Sequence, residues 1–90
     1  MSGERIYHKK NFIIARAGRG FVVYNTKKGF KGGHTHINNY NVAKTVVNLS
    51  INKKLPKSKS TYIVESLIRL TRDTKYKEEL ERYLADLTNK

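Results

Sequence analysis

The chain of 90 residues carries 19 Lys and Arg against 7 Asp and Glu, a formal net charge of +12, and it has no cysteine. This length predicts one domain over residues 1–90, and the missing cysteines exclude disulfides, thiolate metal sites and a cysteine nucleophile. No apolar run reaches the roughly 18 residues that a membrane span needs. Since residues 1–10 also lack the apolar core of a signal peptide, we expect a soluble, cytoplasmic protein without a membrane partner.

The first elements in the chain are predicted to be strands. Residues 1–10 form a polar arm, with a short edge strand around Arg5–His8. Two runs of aromatic and β-branched residues follow, Phe12–Ala15 and Phe21–Tyr24, with Gly18–Gly20 between them. Short runs of this kind joined by a glycine-containing turn predict a β-hairpin. Both faces of the hairpin carry apolar side chains, so one face must pack on helices while the other is partly covered or touches a partner.

The segment after the hairpin is predicted to be a loop and a further short strand. Three of the seven residues in Lys27–Gly33 are glycine, which favours a loop. His34–Ile37 is typical of a third short strand. Residues 11–37 are therefore read as a hairpin with a basic, glycine-rich loop.

The remaining residues, 38–90, are predicted to be helical, although the first helix has a competing interpretation. Apolar residues recur at helical spacing from Val42 to Ile51, yet over 45–52 they also alternate with polar residues as a strand would. We favour a helix because the pattern is long and because Asn38 or Asn39 can cap its start.

Two more helices are expected after the break at Pro56. Ser58 or Ser60 can cap the second helix, and Asp73 or Thr74 can cap the third. The third helix carries one continuous apolar stripe, formed by Tyr76, Leu80, Tyr83, Leu84 and Leu87. The stripe can be core or a dimer seam, so a monomer and a homodimer both stay open. The fold class is α+β, an N-terminal β-hairpin or three short antiparallel strands followed by three α-helices.

The placement of charge is the main functional signal. Residues 1–64 hold thirteen basic residues and one acidic residue, Glu4, whereas residues 65–90 hold six of each. A surface of one sign repels itself and is usually neutralised by a polyanion. We therefore expect nucleic acid, DNA or RNA, as the partner, against the alternatives of an acidic protein or a basic surface that serves solubility alone.

The predicted contact residues are the cations and rings of this basic part. Lysines would pair with phosphates, while Arg16, Arg19 and Phe30 are the candidates for base contacts. Phe12 and Phe21, and with them Tyr24, are assigned to the core. The predicted nucleic-acid-binding residues are Lys9, Lys10, Arg16, Arg19, Lys27, Lys28, Phe30, Lys31, His34, His36, Lys53 and Lys54.

The two histidines near the middle of the chain permit a catalytic alternative. His34 and His36 are two residues apart, so on a strand they lie on one face. A zinc ion would need further ligands, and His8 is the one imidazole left, so we expect no metal and no cofactor. A general acid, a general base and cations suffice for RNA cleavage, so His34, His36, Lys31 and Arg19 define a metal-independent ribonuclease as the third hypothesis.

Two resemblances bear on function. The segment Leu55–Leu70 resembles the second helix of ribbon-helix-helix repressors. That resemblance implies a strand at 33–37 that pairs with its twin in a dimer and enters the major groove, with His34 and His36, or Thr35 on the other face, reading bases.

The segments Val23–Phe30, Gly33–Ile37 and Ser66–Leu70 resemble small proteins of Firmicute phages and mobile elements. This second resemblance implies a regulator or accessory factor in such a setting. We therefore predict a non-enzymatic nucleic-acid-binding protein. The alternative is an inhibitor or adaptor that binds a host protein or nucleoprotein.

Overall fold

The computed structural model describes residues 4–29 and 31–89. Its elements are β1 (Glu4–Lys9), β2 (Phe12–Ala17), β3 (Gly20–Asn25), β4 (His34–Ile37), α1 (Tyr40–Asn52), α2 (Thr61–Leu70) and α3 (Thr74–Thr88). The predicted α+β fold, with strands first and three helices after them, is confirmed. No helix in this part of the chain is long and apolar enough to cross a membrane.

The four strands form one antiparallel sheet in the order β1-β2-β3-β4. The expected hairpin is β2–β3, whose turn contains Gly18 at a φ of 59°, a conformation that glycine adopts without steric cost. The edge strand expected around Arg5–His8 is confirmed as β1, which is one residue longer at each end because it pairs with β2 from Glu4 to Lys9, with a bulge between Arg5 and Tyr7. The sheet thus has one strand more than the three allowed for.

α1 and α2 pack on one face of the sheet, and α3 packs against α2. Alternate strand residues point to that face, among them Phe12, Ile14, Val23 and Ile37. They form a single core with apolar side chains of the helices, and the helical members of this core are Ala43, Val46, Val47, Val64, Leu67, Leu70, Tyr76 and Leu80. Removal of this apolar surface from water is the main force that holds helices and sheet together.

Each helix begins at one of the capping residues that the sequence offered. The side chains of Asn39, Ser60 and Asp73 accept hydrogen bonds from backbone N–H groups three residues later. The competing strand interpretation of residues 45–52 is wrong, since that segment lies within α1. In the helix, the buried side chains of Ala43, Val46, Val47 and Ser50 lie on the sheet-facing side.

Polar contacts fix the helices in register with the sheet. The hydroxyl groups of Thr35 in β4 and Ser66 in α2 lie 2.8 Å apart in the interior. The side-chain amide of Asn25 donates to the carbonyl of Leu70 at 3.0 Å, at the end of α2. The hydroxyl of Tyr76 lies 2.6 Å from the carbonyl of Lys54, which ties α3 to the segment after α1.

Candidate functional site

The sheet face opposite the helices carries several aromatic or imidazole rings and one arginine, Arg5. We call it the open face, and it is defined by the strand residues that alternate with the core. Cross-strand pairing places its members in two rows, His8, Ile13, Tyr24 and His34 in the first, and Arg5, Ala15, Val22 and His36 in the second. None of these residues is acidic, because the sequence has no Asp or Glu between Arg5 and Val64.

The apolar centre of the open face is buried. Ile13, Ala15 and Val22 are buried, yet they are not part of the core that the helices cover. The residues around them are half-buried or exposed, and His34 and His36 place their ring centroids 5.2 Å apart, nearly perpendicular. The prediction that these two histidines share a face is confirmed, as is the expectation that one face of the hairpin packs on helices.

A second group of predicted residues gathers at one end of the sheet. We call it the loop end, where the β1–β2 turn and the β3–β4 loop meet the C-terminus of α1 and the start of α3. The predicted contact residues found here are Lys9, Lys10, Lys27, Lys28, Lys31, Lys53 and Lys54. They come from three separate stretches of sequence, and the antiparallel connections bring them together.

Three of these lysines, Lys9, Lys28 and Lys53, are engaged in contacts within the protein. The ammonium of Lys28 donates to the carbonyl of Arg69 at 2.7 Å and lies 3.4 Å from the carbonyl of Thr71. Lys28 therefore caps the C-terminal end of α2. Partial burial, and secondarily the charge of Lys77, lowers the pKa of Lys28. The ammonium of Lys9 donates to the side chain of Asn48 at 3.0 Å. Other cations of the loop end are therefore better placed to meet a ligand.

A pocket of about 340 Å³ opens at the loop end. Its charged residues are Lys10, Lys27, Lys53, Arg72 and Asp73, and its other lining residues are Asn11, Phe12, Asn25, Ser50, Ile51 and Thr71. The carboxylate of Asp73 lies 2.7 Å from the ammonium of Lys53. The hydrogen bond from Lys53, and after it the one from the N–H of Tyr76, holds the pKa of Asp73 below its ordinary value.

The predicted base-contact residues do not lie together at the loop end. Arg16 and Arg19 lie at the β2–β3 turn, at the opposite end of the sheet, where the Arg16 guanidinium carbon stands 5.9 Å from the centre of the Phe21 ring. Arg19 is therefore separated from Lys31, with which the ribonuclease hypothesis grouped it. The predicted role of Phe30 lies outside the described residues.

Sequence reasoning missed several residues of these two surfaces. Arg72 lies in residues 65–90, where the charges sum to zero and no contact residue was predicted, and Ser50 lies within a predicted helix without any distinguishing pattern. Tyr24 was assigned to the core, but it lies on the open face in register with His34. Strict alternation along β3 was the one signal that could have placed Tyr24 correctly.

The described residues contain no group of three or more His, Cys, Asp or Glu side chains arranged to hold a metal ion. The charge and the rings of the two surfaces therefore carry the functional argument. Comparison of the chain with protein-family models, with curated proteins and with solved structures found no match.

Proposed function

We propose that this protein binds single-stranded nucleic acid without cleaving it, with bases on the open face and backbone phosphates paired with cations around it. The observation that carries the proposal is the open face itself, an acid-free sheet surface that presents Arg5, His8, Tyr24, His34 and His36 around a small apolar centre. Sheet surfaces of this composition suit unpaired bases, which stack on rings and on guanidinium planes.

Charge separation in the fold supports the same proposal. Eight of the thirteen basic residues before Val64 lie in the strands or in the loops that join them, while most acidic residues lie on α3, where Glu78, Glu79 and Glu81 are exposed. A polyanion would therefore meet an attractive field on the sheet side and a mixed one on α3. The exposed cations Lys10, Lys27 and Lys31 at one end of the sheet, with Arg19 at the other, can follow a strand that crosses the face.

A single strand suits this surface better than a duplex. The rings are distributed across three strands, β1, β3 and β4, so they form a broad platform rather than a narrow projection. Bases in a duplex are already stacked on each other, and they offer a sheet only their edges. The rings of the open face can be used fully by bases that are unpaired.

The test is a fluorescence anisotropy titration of the full chain with a labelled single strand and with the matching duplex, each at two salt concentrations. We expect tighter binding of the single strand and a log–log salt slope of about −0.7 for each phosphate that is neutralised. Absence of binding to both at low salt would overturn the proposal, as would a preference for the duplex.

Two charge-removing variants identify the surface. Lys31→Gln removes an exposed cation of the β3–β4 loop, and Arg82→Gln removes an exposed cation of α3. We expect the first to lower the salt slope by about 0.7 and the second to leave it unchanged. Equal effects of the two variants would place binding elsewhere. If the wild type cleaves the RNA strand and His34→Ala does not, the proposal is wrong and the ribonuclease hypothesis is supported.

A further inference from the structure

The pocket at the loop end is positively charged, and its charged residues are separate from the residues of the open face. Four cationic residues line it, Lys10, Lys27, Lys53 and Arg72, against one carboxylate, that of Asp73. The Asp73 carboxylate is already occupied, because one oxygen lies 2.7 Å from the Lys53 ammonium and the other accepts a backbone N–H of α3 at 3.0 Å. The remaining cations therefore lack a fixed anionic partner among the lining residues.

One buried side-chain oxygen of the pocket has no hydrogen-bond partner among the described residues. The side chain of Ser50 is 5% exposed, and its hydroxyl makes no hydrogen bond to any residue that the structure describes. The buried polar side chains beside it are used, since Asn25 bonds to the carbonyl of Leu70 and Thr71 accepts the N–H of Asp73. A buried hydroxyl without a partner is unfavourable, so the Ser50 donor points to a ligand with an acceptor oxygen.

The backbone of the same pocket is strained at two of its cations. Lys10 and Lys53 both have a φ of 54°, and they are the non-glycine residues with positive φ in residues 4–29 and 31–89. Glycine adopts this conformation at lower cost, and it is the usual residue at the end of a helix such as α1. Strain of this kind concentrates where function requires a particular side chain.

From these three observations we propose that the pocket binds a phosphomonoester, the terminal phosphate of a nucleic-acid strand. A terminal phosphate carries up to two negative charges and three acceptor oxygens, which suit the lysines, the planar guanidinium of Arg72 and the Ser50 hydroxyl. A backbone phosphodiester has one charge, so the pocket prefers the strand end. This inference rests on the proposed function for the source of the phosphate, and a free nucleotide is the other source of the same chemistry.

The experiment compares two oligonucleotides of identical sequence, one with a 5′-phosphate and one with a 5′-hydroxyl, by anisotropy competition on the full chain. A parallel calorimetric titration uses uridine 5′-monophosphate, with uridine as the unphosphorylated control. We expect the 5′-phosphate to strengthen oligonucleotide binding about tenfold and uridine not to bind.

Three variants locate the effect, with Lys57→Gln as the control, because Lys57 is exposed and does not line the pocket. Ser50→Ala and Arg72→Gln should each reduce the phosphate preference severalfold. Lys10→Gly should do the same while it raises the thermal midpoint, since glycine relieves the positive φ. Ser50→Ala should not lower the thermal midpoint, because it removes an unpaired hydroxyl.

The outcomes separate this proposal from the previous one. Equal binding of the two oligonucleotides overturns the proposed phosphate site in the pocket and leaves the proposed single-strand binding on the open face intact. Binding of neither oligonucleotide, with uridine 5′-monophosphate still bound in an Arg72-dependent way, overturns the proposed function and assigns the pocket to a free nucleotide. A phosphate preference that survives in all three variants places the phosphate outside the pocket and overturns the inference.

Discussion

Ile13 and Ile14 are neighbours in β2 and are 1% and 0% exposed, yet different parts of the molecule bury them. Ile14 points to the helices and packs in the main core. Ile13 points to the open face, where its cross-strand partners are His8 and Tyr24. The centres of both faces of the sheet are thus buried. Only the Ile14 side packs in the core shared with the helices, whereas Ile13 lies in register with the rings of His8 and Tyr24.

The largest expected effect is the loss of unfolding free energy when each of these two isoleucines is replaced by alanine. Ile14→Ala leaves a cavity between sheet and helices that cannot collapse, so it should cost about 4–5 kcal/mol of unfolding free energy. Ile13→Ala should cost about 2 kcal/mol, because the surrounding rings can settle into the space. Urea unfolding of both variants checks this. Equal losses would show that the open face is as rigidly packed as the core.

A smaller loss of stability is expected when the buried pair of hydroxyls between β4 and α2, those of Thr35 and Ser66, is broken. Thr35→Val leaves the Ser66 hydroxyl buried without its partner 2.8 Å away, which should cost about 1–3 kcal/mol. The double variant Thr35→Val with Ser66→Ala should recover most of that loss, since neither hydroxyl is then orphaned. The cycle is measured by urea unfolding, and strictly additive losses would show that the two hydroxyls act independently.

A pH-dependent effect is expected where the helices meet the loop end. The hydrogen bond from Lys53, and then the N–H of Tyr76, lowers the pKa of Asp73 in the folded protein. The resulting stabilisation is fully present above the ordinary Asp pKa of the unfolded chain and is lost as the pH falls through the folded value. Asp73→Asn keeps a capping side chain but cannot titrate. Its thermal midpoint should therefore approach that of the wild type at low pH, and a constant difference at all pH values would contradict this assignment.

The smallest expected change in stability is on the open face. His36 is exposed and its ring contacts that of His34, so His36→Ala should change the unfolding free energy by less than about 0.5 kcal/mol. The same variant should weaken single-strand binding about fivefold or more, because one stacking ring is lost. Thermal unfolding and anisotropy on the same sample test both halves. A stable variant with unchanged affinity would remove His36 from the binding surface.

Much of the fold follows from local pattern. Asn39, Ser60 and Asp73 stand where a cap is needed before an apolar stripe, so all three helices could be located from the sequence. The sequence pattern predicts β1 around Arg5–His8, and its full length, Glu4–Lys9, depends on hydrogen bonds from β2. The apolar residues of segment 45–52 fit both a helical and a strand spacing. In the structure the segment is helical, and Val46 and Val47 pack in the core.

The sequence by itself determined the class of elements, their order, the caps and the confinement of net charge to residues 1–64, because these depend on residue type and short-range spacing. The tertiary structure alone decided which cations share a surface. Antiparallel pairing places Arg19 at one end of the sheet and Lys10 and Lys27 at the other. The packing of α1 and α2 on the sheet places Ser50 and Arg72 in the same pocket as Lys10 and Lys27. Such contacts join residues far apart in sequence, so no local pattern records them.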